Sequence, residues 1–212
     1  MSDSATTEQG GQGAQDAHLK LVIIRHGQTP GNAERRYVGS RDDQPLSEEG
    51  RAQARQAAAF PDVGLVYVSS LRRTQETASI MFPNARQEVV PGIQEMDFGN
   101  FTGRNADEMA DDADYRAWVD SRCEDPCPNG ESKAQFNERV CTSMLAFLQD
   151  AAARGERNLH LVAHGGTLMA FLDRYGDGRC QWYEWNVENC HGYRLEMQLD
   201  GDDLAVTQIE RF

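Results

Sequence analysis

The 212-residue sequence is short of lysine, of paired cysteines and of long apolar runs, and each shortage excludes something. Runs such as Leu21 to Ile24 and Leu159 to Ala163 fall far below the roughly 20 residues that span a bilayer, so no membrane association is expected. Basic residues number 21 against 34 acidic ones, for a net charge of −13, and no dense basic stretch occurs. Polyanion binding is driven by neutralising phosphates and releasing their counterions, so nucleic acid is not an expected partner. Lys20 and Lys133 are the only lysines, yet a few focused arginines suffice to hold a small anion.

The five cysteines (Cys123, Cys127, Cys141, Cys180 and Cys190) are odd in number, and no secretory apolar segment accompanies them. Reduced thiols and a cytoplasmic location are the expectation. A zinc site built from Cys123, Cys127, Cys180 and Cys190 lacks the paired C-x2-C spacing. There is also no HExxH motif, no P-loop, no G-x-S-x-G elbow and no cysteine followed by arginine in a C-x5-R loop. Asp112-Ala113-Asp114 is a D-x-D, but it lies in a helical stretch rather than after a buried strand. Neither a metal nor an organic cofactor is expected.

Positions 1–17 are nearly free of apolar side chains and are expected to form a disordered tail, because burial cannot offset their ordering entropy. From residue 18 onward the chain reads as a single domain in which strands and helices alternate. Apolar strands are expected at 19–24, 65–68, 87–90 and 159–163, the first of them buried on both faces. Helices are expected at 47–60, where Ser47 caps and Pro61 terminates, and at 71–82, 132–153 and 167–175. The turn Asp200-Gly201-Asp202 should join strands 192–198 and 204–210 as a hairpin. This pattern predicts an α/β fold, a mostly parallel sheet with helices on both faces. The stretch 98–129 breaks the rhythm and is expected to be a small helical cap insertion, with Tyr115, Trp118 and Val119 on one side of a helix.

Ligands of open parallel sheets bind beyond the carboxyl ends of the strands. The residues there are Arg25-His26-Gly27, then Ser69-Ser70-Leu71-Arg72-Arg73, then Glu95, then His164-Gly165-Gly166. Singly, each has an ordinary role: a hydrogen-bonded histidine, a helix-opening arginine, a surface carboxylate, a turn glycine. Together they place guanidiniums, imidazoles and a carboxylate on one edge, which makes an anion site with candidate nucleophile and acid. The arginines would keep a neighbouring imidazole neutral, and so nucleophilic, by like-charge repulsion.

Those same residues carry a family resemblance. LVIIRHGQTPGN at 21–32 resembles the signature of the histidine phosphatases, the superfamily that includes cofactor-dependent phosphoglycerate mutase. DDQPLSEEGRAQA at 42–54, SSLRRTQETA at 69–78, IQEMDFGNFTG at 93–103, PNGESKAQFNERV at 128–140 and VAHGG at 162–166 are similar to its later segments, in the same order. The resemblance implies a phosphoglycerate mutase-like fold and metal-independent phosphoryl transfer from a small phosphorylated metabolite. It further implies that His26 becomes a phosphohistidine and that Glu95 is the proton donor. Arg25, Arg73 (rather than Arg72) and His164 would clamp the transferring oxygens, with Asn32 and Gly165 lining the phosphate pocket. The segment after Asn100 is short for a mutase, which favours hydrolysis. FGNFTGRNADEMADDADYRAW at 98–118, PNGES and VENC at 187–190 are most similar to alpha-ribazole-5′-phosphate phosphatases, whose reaction belongs to cobalamin assembly. Thr102 departs from that pattern, since many relatives carry an acidic residue there. Mutase action and non-catalytic phosphate binding are the competing readings. Tyr115, Trp118, Trp182, Tyr183 and Trp185 are candidates for a substrate-facing wall, or alternatively for core packing.

Overall fold

The computed structural model describes residues 16–212; most of the expected tail therefore lies outside the described residues. Its end does not: Ala17 is buried and opens β1 (Ala17–Arg25), paired with Leu199. The partner strand lies far along the sequence, so local composition carried no sign of this pairing.

Six strands form one sheet in the order β3-β2-β4-β1-β5-β6, with β2 at Leu65–Val68, β3 at Arg86–Val89, β4 at Asn158–Ala163, β5 at Gly192–Asp200 and β6 at Asp203–Arg211. The first four in that order are mutually parallel, whereas β5 and β6 run antiparallel as a hairpin whose turn uses Gly201 at φ 60°. β1 departs from expectation in its first half. His18 and Lys20 are exposed while Leu19 and Leu21 are buried, because only one face is covered there.

Alternate residues of the central strands feed two cores, as the period of two requires. Ile24, Val66, Val68 and Val162 meet Ala54, Ala78 and Met81 on one face, from α2 (Glu48–Gln56) and α3 (Arg72–Met81). Ile23, Tyr67 and Leu161 meet Phe136, Met144, Leu148 and Phe171 on the other, from α5 (Lys133–Ala153) and α6 (Gly165–Tyr175). Truncating one such fully buried Phe to Ala costs about 3–5 kcal/mol.

Helix starts follow local chemistry. Ser47 accepts from Gly50 N with Glu48 and Glu49 in the first turn, and Ser132 forms a capping box with Gln135. The expected run of α2 to Phe60 is not observed. Ala57 is extended, and Phe60 is drawn instead to the end of α3, stacking on Phe82 at 4.7 Å and donating its N–H to the Met81 carbonyl. A four-residue helix not anticipated from the sequence, α1 (Pro30–Ala33), follows β1. The insertion holds one α-helix, α4 (Ala113–Asp120), capped by Asp112, with a single 3-10 turn at Gly99–Phe101 and isolated bridges from Thr102 to Tyr37 and from Asn105 to Arg36.

Candidate active site

Strand order builds the site. β1 and β4 are neighbours in register Arg25↔Ala163, so His26 and His164 each fall one residue past the end of adjacent parallel strands. Their rings meet edge to face with centroids 5.2 Å apart, and both are buried. Ser69, one residue past β2, lies beside them.

The hydrogen bonds define which ring nitrogens are free. His26 Nδ1 lies 2.7 Å from the Gly27 carbonyl, which can only accept, so Nδ1 carries the proton and Nε2 keeps its lone pair. That Nε2 accepts from Arg73 Nε at 3.2 Å, and His164 Nδ1 shares the same donor at 3.3 Å. His164 Nε2 therefore carries the proton and donates to Ser69 Oγ at 2.7 Å. Ser69 Oγ lies 3.0 Å from Thr74 Oγ1, which donates to the Leu71 carbonyl at 2.7 Å. Burial first, and then the Arg73 charge, hold both imidazoles well below the usual histidine pKa.

Arg73 is wholly buried at the start of α3. Its guanidinium is fixed by the carbonyls of Asp42 (2.8 Å) and Gly39 (3.3 Å). Arg72 is different: it is exposed and pairs with Glu76. Arg25 donates through Nη1 to the Val187 carbonyl at 2.7 Å, while its Nε is buried with no partner. An orphaned cationic donor costs desolvation that an anion would repay. Burial lowers the pKa of both arginines, and the nearby Glu95 charge partly opposes it, so the carboxylate faces the same space.

Glu95 is held at both oxygens: Oε1 accepts from Met96 N at 2.9 Å and Oε2 from Gly166 N, at the start of α6, at 3.0 Å. Gly166 is tight by necessity, because a Cβ there would lie 2.1 Å from Glu95 Oε1. Gly165 is looser, its nearest neighbours being atoms of Arg25 at 3.5 Å and beyond. The site-shaping glycine is thus Gly166 as much as Gly165. Asn32 spends its Oδ1 on Thr29 N at 3.2 Å, closing the capping box of α1.

A cavity of about 240 Å³ opens beside Glu95 and Gly166, walled by Tyr37, Phe98, Trp118, Phe136, Trp182 and Tyr183. Of the five aromatic candidates, Trp118, Trp182 and Tyr183 line it. Tyr115 sits behind, its hydroxyl 2.9 Å from that of Tyr37, and Trp185 packs in the core against Tyr193. Thr102 pairs through its backbone with Tyr37 and does not line the cavity. Lys133 Nζ sits 5.0 Å from the Trp182 ring centre and 2.7 Å from Glu124 Oε1.

Several participants had not been assigned roles from sequence. Ser69 was signalled by its place after β2, in line with the two histidines. Asn189, whose side chain donates to the His26 carbonyl at 2.8 Å, lies in the VENC segment. Tyr37 had no signal, since its stretch has no hydrophobic period. Among the described residues, no group of three or more His, Cys, Asp or Glu is gathered as a metal ion would require.

The fold and site define an α/β protein in which two buried imidazoles and two arginines converge at the carboxyl ends of neighbouring parallel strands. The description Histidine phosphatase superfamily (branch 1) fits residues 21–209, and the chain belongs to that family. It is 34% identical over 193 residues to the probable phosphoglycerate mutase GpmB of Cronobacter sakazakii, covering 85% of this chain and 86% of that one. The alpha-ribazole phosphatase of Shigella flexneri superposes with TM-score 0.73 at 25% identity, over 89% of this chain and 94% of that one. A phosphoglycerate mutase from Bacillus anthracis shares the fold (TM-score 0.68, 20% identity, 91% and 93% covered). Among the described residues, no helix is long and apolar enough to cross a membrane.

Proposed function

We propose that the protein hydrolyses a small phosphomonoester through a phosphohistidine on His26. The observation that carries this reading is the unprotonated Nε2 of His26, held by a 3.2 Å bond from Arg73 Nε, beside an Arg25 Nε that has no partner among the described residues. A phosphoryl group drawn to the two guanidiniums would meet that lone pair. His26 Nε2 then bonds to phosphorus as the ester P–O bond breaks, and Glu95, which carries a proton when the ester is bound, gives it to the leaving oxygen. As a carboxylate, Glu95 next takes a proton from water. The water oxygen attacks phosphorus, the P–N bond breaks, and phosphate leaves with His26 restored. Charge on the transferring oxygens is met by Arg25, Arg73 and the N–H of Gly165, with Asn32 Nδ2 at the pocket edge, and by His164 once the bound phosphoryl group draws a proton onto its Nδ1, so the step needs no metal ion.

For the leaving group we favour an aromatic-bearing alcohol, with alpha-ribazole 5′-phosphate as the specific candidate. The cavity next to Glu95 has aromatic walls, Trp118, Trp182 and Tyr183 among them. Likeness to the Shigella flexneri protein supports the same choice. The names of the closely matching curated relatives favour a mutase instead. A bisphosphorylated glycerate would need further cations around the acid, and Lys133, the one cation lining that cavity among the described residues, is engaged by Glu124.

The test is hydrolysis of p-nitrophenyl phosphate in EDTA by wild type and His26→Ala, with mass-spectrometric trapping of phosphate on His26. Activity lost in the variant, with the label on His26, is expected. Retained activity would refute the nucleophile, and an inactive wild type that binds phosphate would favour the binding-only reading. Competition between alpha-ribazole 5′-phosphate and 3-phosphoglycerate then decides the substrate.

A further inference from the structure

We propose that Arg139, through its ion pair with Glu131, is a positioning residue for Glu95 and so sets how well the leaving group is protonated. This rests on Glu95 being the proton donor. Residues 90–97, which carry Glu95, form neither helix nor strand; beyond the bond of Val90 N to the Val68 carbonyl no strand pairing holds them, and single bonds from Thr167 Oγ1 to the Ile93 carbonyl and from Ser40 N to the Met96 carbonyl leave residues 92, 94 and 95 to another partner. Arg139 supplies that restraint from α5. Its Nη1 donates to the carbonyls of Gly92 (2.8 Å) and Gln94 (3.1 Å), and its Nη2 to that of Glu95 (3.4 Å). The other edge of the guanidinium grips Glu131 in two bonds, Nε to Oε1 at 2.7 Å and Nη2 to Oε2 at 2.8 Å. Glu131 in turn closes on the far side of the acid, accepting from Asp97 N at 2.9 Å while its own N–H donates to the Asp97 carbonyl at 2.9 Å.

The pair therefore brackets Glu95 from residue 92 to residue 97. Burial would raise the Glu131 carboxyl, but the Arg139 and Asp97 bonds keep it below the usual value, so it stays charged and holds its partner. The main chain of Glu95 is thus fixed by α5, while its carboxylate is fixed by Gly166 at the start of α6. Loosening the first hold shifts the acid relative to the second. A displacement near 1 Å at a reacting group costs about 100-fold.

A proton donor matters in proportion to how poorly the leaving group departs unaided. Arg139→Gln and Glu131→Gln are therefore compared with wild type on p-nitrophenyl phosphate and on an alkyl phosphate such as glycerol 1-phosphate. The expected result is a fall of about 100-fold in kcat/KM for the alkyl ester, which reports the phosphorylation of His26, with kcat/KM for p-nitrophenyl phosphate little changed; kcat also contains the hydrolysis of the phosphohistidine, which both esters share. Arg139→Lys should recover part of the loss, because one ammonium reaches either Glu131 or the carbonyls but not both. Equal losses in kcat/KM on both esters, or none, overturn the proposal; a merely structural staple would lower both alike. Should Arg139→Gln fail to fold, Arg139→Lys and Glu131→Gln carry the same comparison. Glu95→Gln run alongside separates the two levels. If it shows no leaving-group dependence, the acid assignment fails; if it does and the Arg139 variants do not, only the present proposal fails.

Discussion

Gly166→Ala probes the site at its narrowest point. The added Cβ would stand 2.1 Å from Glu95 Oε1, 2.9 Å from Phe136 Cζ and 3.0 Å from Glu95 Cδ. Phe136 is fully buried and cannot retreat far, so the carboxylate must yield, by roughly 1 Å to reach an ordinary contact. The bond from Gly166 N to Oε2 is then lost or lengthened. A hydrogen bond to a charged group contributes about 1.5–3 kcal/mol, whereas Ala in place of Gly in a helix returns about 1 kcal/mol. The net stability change is small, within a few degrees of melting temperature for a chain of this size. Activity is the sensitive quantity: kcat on an alkyl phosphate should fall about 100-fold, and less on p-nitrophenyl phosphate. Thermal melts by circular dichroism and steady-state kinetics on both esters provide the assay. Alkyl-ester kcat within threefold of wild type, at unchanged melting temperature, would refute the placing of the carboxylate.

Three further outcomes are expected. Arg73→Lys keeps the charge but leaves backbone carbonyls of the 38–42 loop without donors; we expect a cost of about 2–3 kcal/mol by chemical denaturation and loss of phosphate binding by calorimetry. Because His26 and His164 titrate well below the usual value when folded, the unfolded chain binds protons first as pH falls. Stability is therefore full above about pH 6.5 and declines below it, and melting temperatures from pH 7.5 to 5 should show a shallower decline in His164→Asn. Thiol labelling of the native protein should reach Cys123 and Cys180 and spare Cys127, Cys141 and Cys190. The Cys190 thiol is buried and pushed up to about 12, so early labelling there would contradict the packing of its loop on Gly27.

Much of this protein is legible along the chain because strand ends are legible. Apolar runs ended by Arg25-His26, by Ser69 and by His164 located three of the elements that converge, and the parallel direction that puts their ends on one edge of the sheet follows from strand–helix alternation, whereas their neighbouring order does not. Ser47 and Ser132 marked their helices through bonds to residues three positions away. The boundaries that moved did so through distant partners: Ala17 was claimed by Leu199, and Phe60 by Phe82. The tertiary structure alone decided that the Gly27 carbonyl frees Nε2 of His26 in this environment and that one Arg73 N–H serves both rings. It alone also decided that Gly166 meets Glu95, that Arg139 and Glu131 grip the acid loop, and that Trp118, Trp182 and Tyr183, but not Trp185, face the cavity. Propensity and capping are set by neighbours within a turn, whereas which side chain meets which from distant parts of the chain is settled only when the sheet order closes and the cores pack.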